Sequence, residues 1–178
     1  MKLLFIAILV ASVSAALWQS APSMDTFSPS QETDDIVIAS YLIAGTRTFF
    51  SAEGNKSAVL EIGSATRWSH SDEVSLREIR YRARGDKATA WDISAAAGTF
   101  FEDLNELALQ NGVTVIETQR QATMTTDAMR LYMDQKRASG QQKVVLTGRG
   151  SRTTGSAFDL DLQTNTATLK GDVVTHYE

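Results

Sequence analysis

The sequence predicts an all-β domain of antiparallel strands, carried behind an apolar N-terminal segment. Three observations point there. From Tyr41 onward apolar residues recur with a period of two more often than at helical spacing. Gly, Asn and Asp interrupt these runs every ten or so residues, roughly the spacing of short strands joined by turns. Proline, which breaks strand ladders, occurs at only two positions in the whole chain, Pro22 and Pro29.

Length and charge limit what the domain does. At 178 residues there is room for one ordinary domain and a short appendage. A hydrophobic content of 43% with 21% charge lets such a domain build a core. The net charge of −4 and a pI near 5.2 argue against a nucleic-acid partner, which needs a surplus of Lys and Arg on one face. Cysteine is absent, which excludes disulfides and thiolate metal sites.

Residues 1–22 read as a membrane anchor or a signal peptide. After Lys2, the run Leu3 to Trp18 would span about 24 Å as a helix at ~1.5 Å per residue, short of the ~30 Å hydrocarbon core. Extension to Pro22 reaches the interface, with Trp18 at headgroup depth and Lys2 held inside, so one transmembrane helix is feasible. Val13 and Ala15, or Ser14 and Ala16, are small residues spaced as a signal peptidase requires. Either way the remainder is exported. Residues 23–40, polar and acidic with Asp25, Glu32, Asp34 and Asp35, read as a linker.

In the domain, residues 41–178, Thr46 to Ser51 and Ser57 to His70 form a hairpin across the turn-like Ala52-Glu53-Gly54-Asn55. Strict alternation puts Ala58, Leu60, Ile62 and Ser64 on one face. It puts Arg77, Ile79 and Tyr81 opposite Leu76, Glu78 and Arg80. Trp91, Ile93 and Ala95 alternate with Asp92 and Ser94, and Asn111-Gly112 precedes a strand at Val113 and Val115. Phe100 to Gln110 has helical propensity, and residues 122–139 read equally as helix or strand. Lys143 to Thr147 is a strand stopped by Gly148, and Phe158, Leu160 and Leu162 point inward with Asp159 and Asp161 outward.

Catalytic signatures are missing: there is no G-x-S-x-G, H-E-x-x-H or G-x-G-x-x-G. Asp159 and Asp161 share a strand face and would serve a carbohydrate-active enzyme as paired carboxylates, or are merely the wet side of a half-buried strand. His70 reads as a loop residue and His176 as a surface one, so neither catalytic residues, a metal nor a cofactor is expected. What remains is the apolar face that includes Phe49, Phe50, Leu60, Ile62, Leu76, Val113, Val115, Phe158 and Leu160. In a sealed sheet it is a core; in a sheet that closes incompletely it is a groove for acyl chains.

The stretches TRTFFSAEGNKSAVLEIGSATRW and TAWDISAAAGTFFEDLNELALQNGVTV, then Thr125-Thr126, VVLTG, Gly155 and LKGDVVTHYE, resemble in order and spacing the lipopolysaccharide export protein family LptC. Trp91, Ile93, Ser94, Leu109, Gly112 and Val115 carry the central part, and the likeness runs from Thr46 to Glu178. The resemblance implies an open, twisted β-jellyroll in the periplasm on a single-pass inner-membrane anchor, a non-catalytic carrier of lipopolysaccharide. Lipid A acyl chains would lie against Thr46, Leu60, Ile62, Leu76, Val115, Phe158 and Leu160. It also implies two protein partners, the membrane subunits of an ABC transporter at the N-terminal edge and a periplasmic bridge protein at the C-terminal edge. Gly54 and Gly155 are the candidate partner-binding positions. A soluble bridge protein of the same fold is the neighbouring reading. Arg77, Arg80 and Arg82 make the third strand more basic than the family pattern.

Overall fold

A computed structural model describes residues 37–69, 71–84 and 90–177. All regular structure among them is β: twelve antiparallel strands in one open sheet. The strands are β1 (Ile38–Phe50), β2 (Lys56–Trp68), β3 (Glu73–Arg84), β4 (Ala90–Phe101), β5 (Glu106–Glu117), β6 (Ala122–Tyr132), β7 (Arg137–Gly140), β8 (Val144–Gly148), β9 (Ser151–Gly155), β10 (Ala157–Asp161), β11 (Thr166–Lys170) and β12 (Val174–Tyr177). The two stretches open to a helical reading are each strand, turn and strand, because Leu107, Leu109, Met129 and Leu131 alternate into the interior and override helix propensity. β1 starts at Ile38, so the strand region begins slightly before Tyr41.

The order is a meander with a crease across its middle. β1 to β6 pair in succession. β6 then splits: residues 123–126 pair with β8, whereas 130–132 pair with β7. From there β8, β9 and β12 continue one layer, and β7, β10 and β11 continue the other. Each long strand likewise contributes half to each layer. We call the layer holding β8, β9 and β12 the upper one; it takes residues 45–50, 56–62 and 79–84. The lower layer takes 38–43, 64–68 and 73–77.

Strict alternation fails at the crease, which corrects two sequence expectations. In β2 the inward set is Ala58, Leu60 and Ile62, then Ala65 rather than Ser64. In β3, Leu76 shares the buried side with Ile79 and Tyr81 instead of opposing them. Glu78 causes the change of phase: its φ of 54° lies in the left-handed region, and one such residue rotates the following peptides by half a pleat. Gly63 lies against it, and an added Cβ there would collide with the Glu78 side chain. Asn111-Gly112, with φ of 66° and 84°, is a bulge inside β5 rather than a turn before a strand.

Folding at the crease brings the apolar faces of the layers together. Trp91 Nε1 in the upper layer donates to the Leu162 carbonyl at 3.2 Å and to Asn165 Oδ1 at 3.1 Å beside the lower layer. A Cβ on Gly98 in the lower layer would come within 2.7 Å of Ile79 Cδ1 in the upper. Between them lies one core running from Ala58 to Leu162. The sheet has two free ends, β1 at one and β11 with β12 at the other.

Candidate functional site

At the β1 end the layers leave a gap, a cavity of about 240 Å³. Leu60 and Ile62 line it from the upper layer and Leu76 and Phe100 from the lower, with Leu42 at its entrance. Four of the residues expected to line a groove, Thr46, Leu60, Ile62 and Leu76, therefore meet here although they come from three strands. The gap exists partly because Gly45 faces inward opposite Ile62. A Cβ there would stand 2.8 Å from Leu42 Cδ2 and 3.0 Å from Ile62 Cγ1.

The remaining expected lining residues lie elsewhere. Val115 and Leu160 border a second cavity of about 200 Å³, with Trp91, Met124 and Leu146. Val115 and Leu160 are each only 1% exposed. Phe158, also 1% exposed, is core: its ring fills the space that a side chain at Gly140 would occupy. Phe50, by contrast, is turned outward and exposed. Near the β1–β2 turn a third cavity of about 180 Å³ is bordered by Phe49 and Tyr81, whose rings meet edge to face at 6.4 Å. Burial pushes the Tyr81 phenol up to about 12.

The neighbour of one expected residue matters more than the residue itself. Register pairs Thr46 with Glu61, on the outer face where Glu61 bonds Arg82, so Thr46 forms only part of the cavity's rim. Arg47, paired with Leu60, points inward. Its guanidinium lies 4.9 Å from the centroid of the Phe49 ring in the upper layer and 5.6 Å from that of Phe100 in the lower. Alternation with Phe49, two residues on, was the signal in the sequence that could have found it.

Of Arg77, Arg80 and Arg82 in the basic third strand, Arg80 and Arg82 are paired on the outer face. Arg80 Nε donates to both carboxylate oxygens of Asp92 at 3.0 and 3.1 Å, and Arg82 pairs with Glu61. Asp159 is taken by Lys170 on the adjacent strand. The Asp161 carboxylate accepts from the Thr164 amide at 2.9 Å and the Gln163 amide at 3.0 Å. The Thr164 amide above all holds its carboxyl below the usual range. Both aspartates thus have structural tasks at β10 and its turn. His176 sits exposed on β12, and His70 lies outside the described residues. No group of three or more His, Asp or Glu among the described residues is arranged to hold a metal.

Of the two partner candidates, Gly54 occupies the β1–β2 turn at φ 80° with open space around it. Gly155 is buried in β9, paired on one side with β8; a Cβ would lie 3.1 Å from the Lys170 carbonyl and 3.5 Å from Val144 Cγ1. It sits where the layers approach, one strand inside the free edge. At the two sheet ends large apolar residues are exposed: Tyr41 and Ile43 on β1, and Val174 and Tyr177 on β12, with Val173 just before it.

Among the described residues no helix is long and apolar enough to cross a membrane, and the segment read as anchor or signal peptide lies outside them. No curated protein matches the chain. A family model described as "Lipopolysaccharide-assembly, LptC-related" matches residues 4–178, nearly the whole sequence. An open all-β sheet agrees with the earlier resemblance, and the chain belongs to the LptC-related family of lipopolysaccharide-assembly proteins.

Proposed function

We propose that this chain is a non-catalytic carrier that holds the acyl chains of lipopolysaccharide between the layers of an open β-jellyroll and hands them on in the periplasm. The observation that carries the reading is the convergence of Leu60, Ile62 and Leu76 on one apolar cavity at a free end of the sheet. Acyl chains match such a lining because each Å² of apolar surface removed from water contributes about 25 cal/mol. At about 240 Å³ the cavity takes part of one chain. Deeper passage, toward Val115, Phe158 and Leu160, requires the layers to part, since those residues are packed in the resting state.

Two partners fit the two free ends. An edge strand offers unpaired N–H and C=O groups to a strand from another chain. β1 would take the jellyroll of the ABC transporter's membrane subunits and β12 that of the bridge protein, with the exposed apolar residues beside each edge adding contact area. Residues 1–22 would hold the chain in the inner membrane as a single-pass anchor, and an intact N-terminus in the mature protein, measured by mass spectrometry, is the expected result.

Binding of lipopolysaccharide to the purified full chain in non-ionic detergent tests the carrier reading. Intact lipid should bind and the same lipid stripped of its acyl chains should not. Equal binding of both forms would refute a role for the cavity.

A further inference from the structure

We propose that Arg47 is the selectivity residue at the mouth of the cavity, pairing with a phosphate on the lipid whose acyl chain enters beneath it. This rests on the carrier reading above and adds to it the residue that reads the phosphate of the entering lipid. Arg47 is the one arginine among the described residues that lines this cavity. Arg67, Arg80, Arg82 and Arg130 each bond a carboxylate on a neighbouring strand or turn. Among the described residues no carboxylate pairs with Arg47, whose guanidinium rests between the rings of Phe49 and Phe100. The other charged residue lining the same cavity, Glu102, is already neutralised by Arg67. Among the described residues, therefore, this positive charge has no carboxylate partner at the entrance of an apolar chamber.

A guanidinium presents five N–H donors in a fork that fits phosphate oxygens, and ring faces accept none of them as well as an anion does. The acyl chain of an entering lipid would reach Leu60 and Leu76 while its phosphate stayed at the rim, within reach of the Arg47 side chain. A second effect follows from position. Arg47 belongs to the upper layer and Phe100 to the lower, so the stacked guanidinium ties the layers together at the open end. Turning toward a phosphate releases that tie. Loading by an anionic lipid and loosening of the end are then one event, whereas an uncharged lipid leaves the tie in place.

The experiment compares binding of a phosphorylated lipopolysaccharide and its enzymatically dephosphorylated form to the full chain in non-ionic detergent, for the wild type, Arg47→Gln and Arg47→Lys. The wild type should prefer the phosphorylated lipid by about tenfold, the scale of one charge-assisted hydrogen-bonded pair. That preference should shrink as salt is raised. Arg47→Gln should bind both forms equally, and Arg47→Lys should keep part of the preference. A preference that survives in Arg47→Gln, or a wild type without one, overturns the proposal and leaves the carrier reading standing. A wild type that binds neither form overturns both. Arg47 lies exposed on an edge strand, and unchanged circular dichroism of the variants will separate lost binding from lost fold.

Discussion

Gly45→Val should close the cavity from its entrance with little damage to the fold. Gly45 is an inward position of β1, and its backbone is outside the left-handed region, so a β-branched residue adopts it readily. Its Cβ would stand 2.8 Å from Leu42 Cδ2 and 3.0 and 3.1 Å from Ile62 Cγ1 and Cδ1, against a comfortable carbon separation of roughly 3.5–4.0 Å. Leu42 is 51% exposed and free to swing away, so the overpacking cost should fall at the low end of the usual range, about 1 kcal/mol. The added isopropyl group takes the room of about three acyl methylenes. At ~0.8 kcal/mol each, lipid binding should weaken by about 2.4 kcal/mol, roughly fiftyfold. Titration of lipopolysaccharide into the full-length variant measures this, with urea unfolding as the check on stability. Thr48→Val supplies the control, because Thr48 pairs with Val59 on the outer side of the same strand. Equal lipid affinity in Gly45→Val and Thr48→Val, at equal stability, would refute the assignment of this cavity to acyl chains.

Other consequences concern the fold and the rejected chemistry. Tyr81 has a folded-state pKa of about 12 against an ordinary value of 10.0, so above pH 10 the unfolded chain holds fewer protons than the folded one. Its contribution is fully present below pH 10 and is lost as pH rises toward 12, and urea midpoints should fall across that window more in the wild type than in Tyr81→Phe. Phe158→Ala should cost about 3–5 kcal/mol in urea unfolding, since the ring is fully buried against Gly140. A loss below 1 kcal/mol would mean that this part of the interior is loosely packed. Asp159→Asn with Asp161→Asn should leave lipid affinity unchanged, because those carboxylates hold β11 and the β10–β11 turn. Lost lipid affinity in a folded double variant would assign them a direct role.

Period-two alternation carried most of the architecture, because Trp91, Ile93, Val113, Val115, Phe158 and Leu160 all obey it and all are buried. It failed where the backbone changes phase. Nothing in the side chain of Glu78 announces a left-handed conformation, a state more natural to Asn or Gly, so the shift that carries Leu76 to the inner side was invisible. The helix-like composition of residues 122–139 left that stretch open for a related reason: propensity is weak beside the burial of Met129 and Leu131 between two layers. The site was legible in part. Leu60 and Ile62 follow from alternation, and Leu76 from family likeness, but their meeting at one end depends on the crease. Arg47 was hidden by the habit of reading a charged residue as outward, although Thr46, Arg47, Thr48 and Phe49 alternate plainly. On an edge strand an inward charge is tolerated, because solvent reaches it and because it discourages unwanted pairing.

Gly155 remains a proposed partner-binding position, and its surroundings say how it would act. Gly155 pairs with Val144 of β8, and the β9–β12 register covers residues 151–154, so Gly155 stands just past the stretch that β12 covers. Its lack of a side chain lets the Lys170 carbonyl approach and so supports the junction from which β11 and β12 leave. Under the proposed function, a substitution there would act on a bridge partner through the position of β12.

Whether the interior admits lipid is tested most directly by a photo-activatable residue at Leu76, which is buried and faces the cavity, in the chain assembled with the proposed transporter and supplied with ATP and lipopolysaccharide. A covalent lipopolysaccharide adduct at position 76, and none from the same probe at the outward-facing Ile116, is the predicted result. Adducts at Ile116 with none at position 76 would place the lipid on the outside of the sheet and contradict the account.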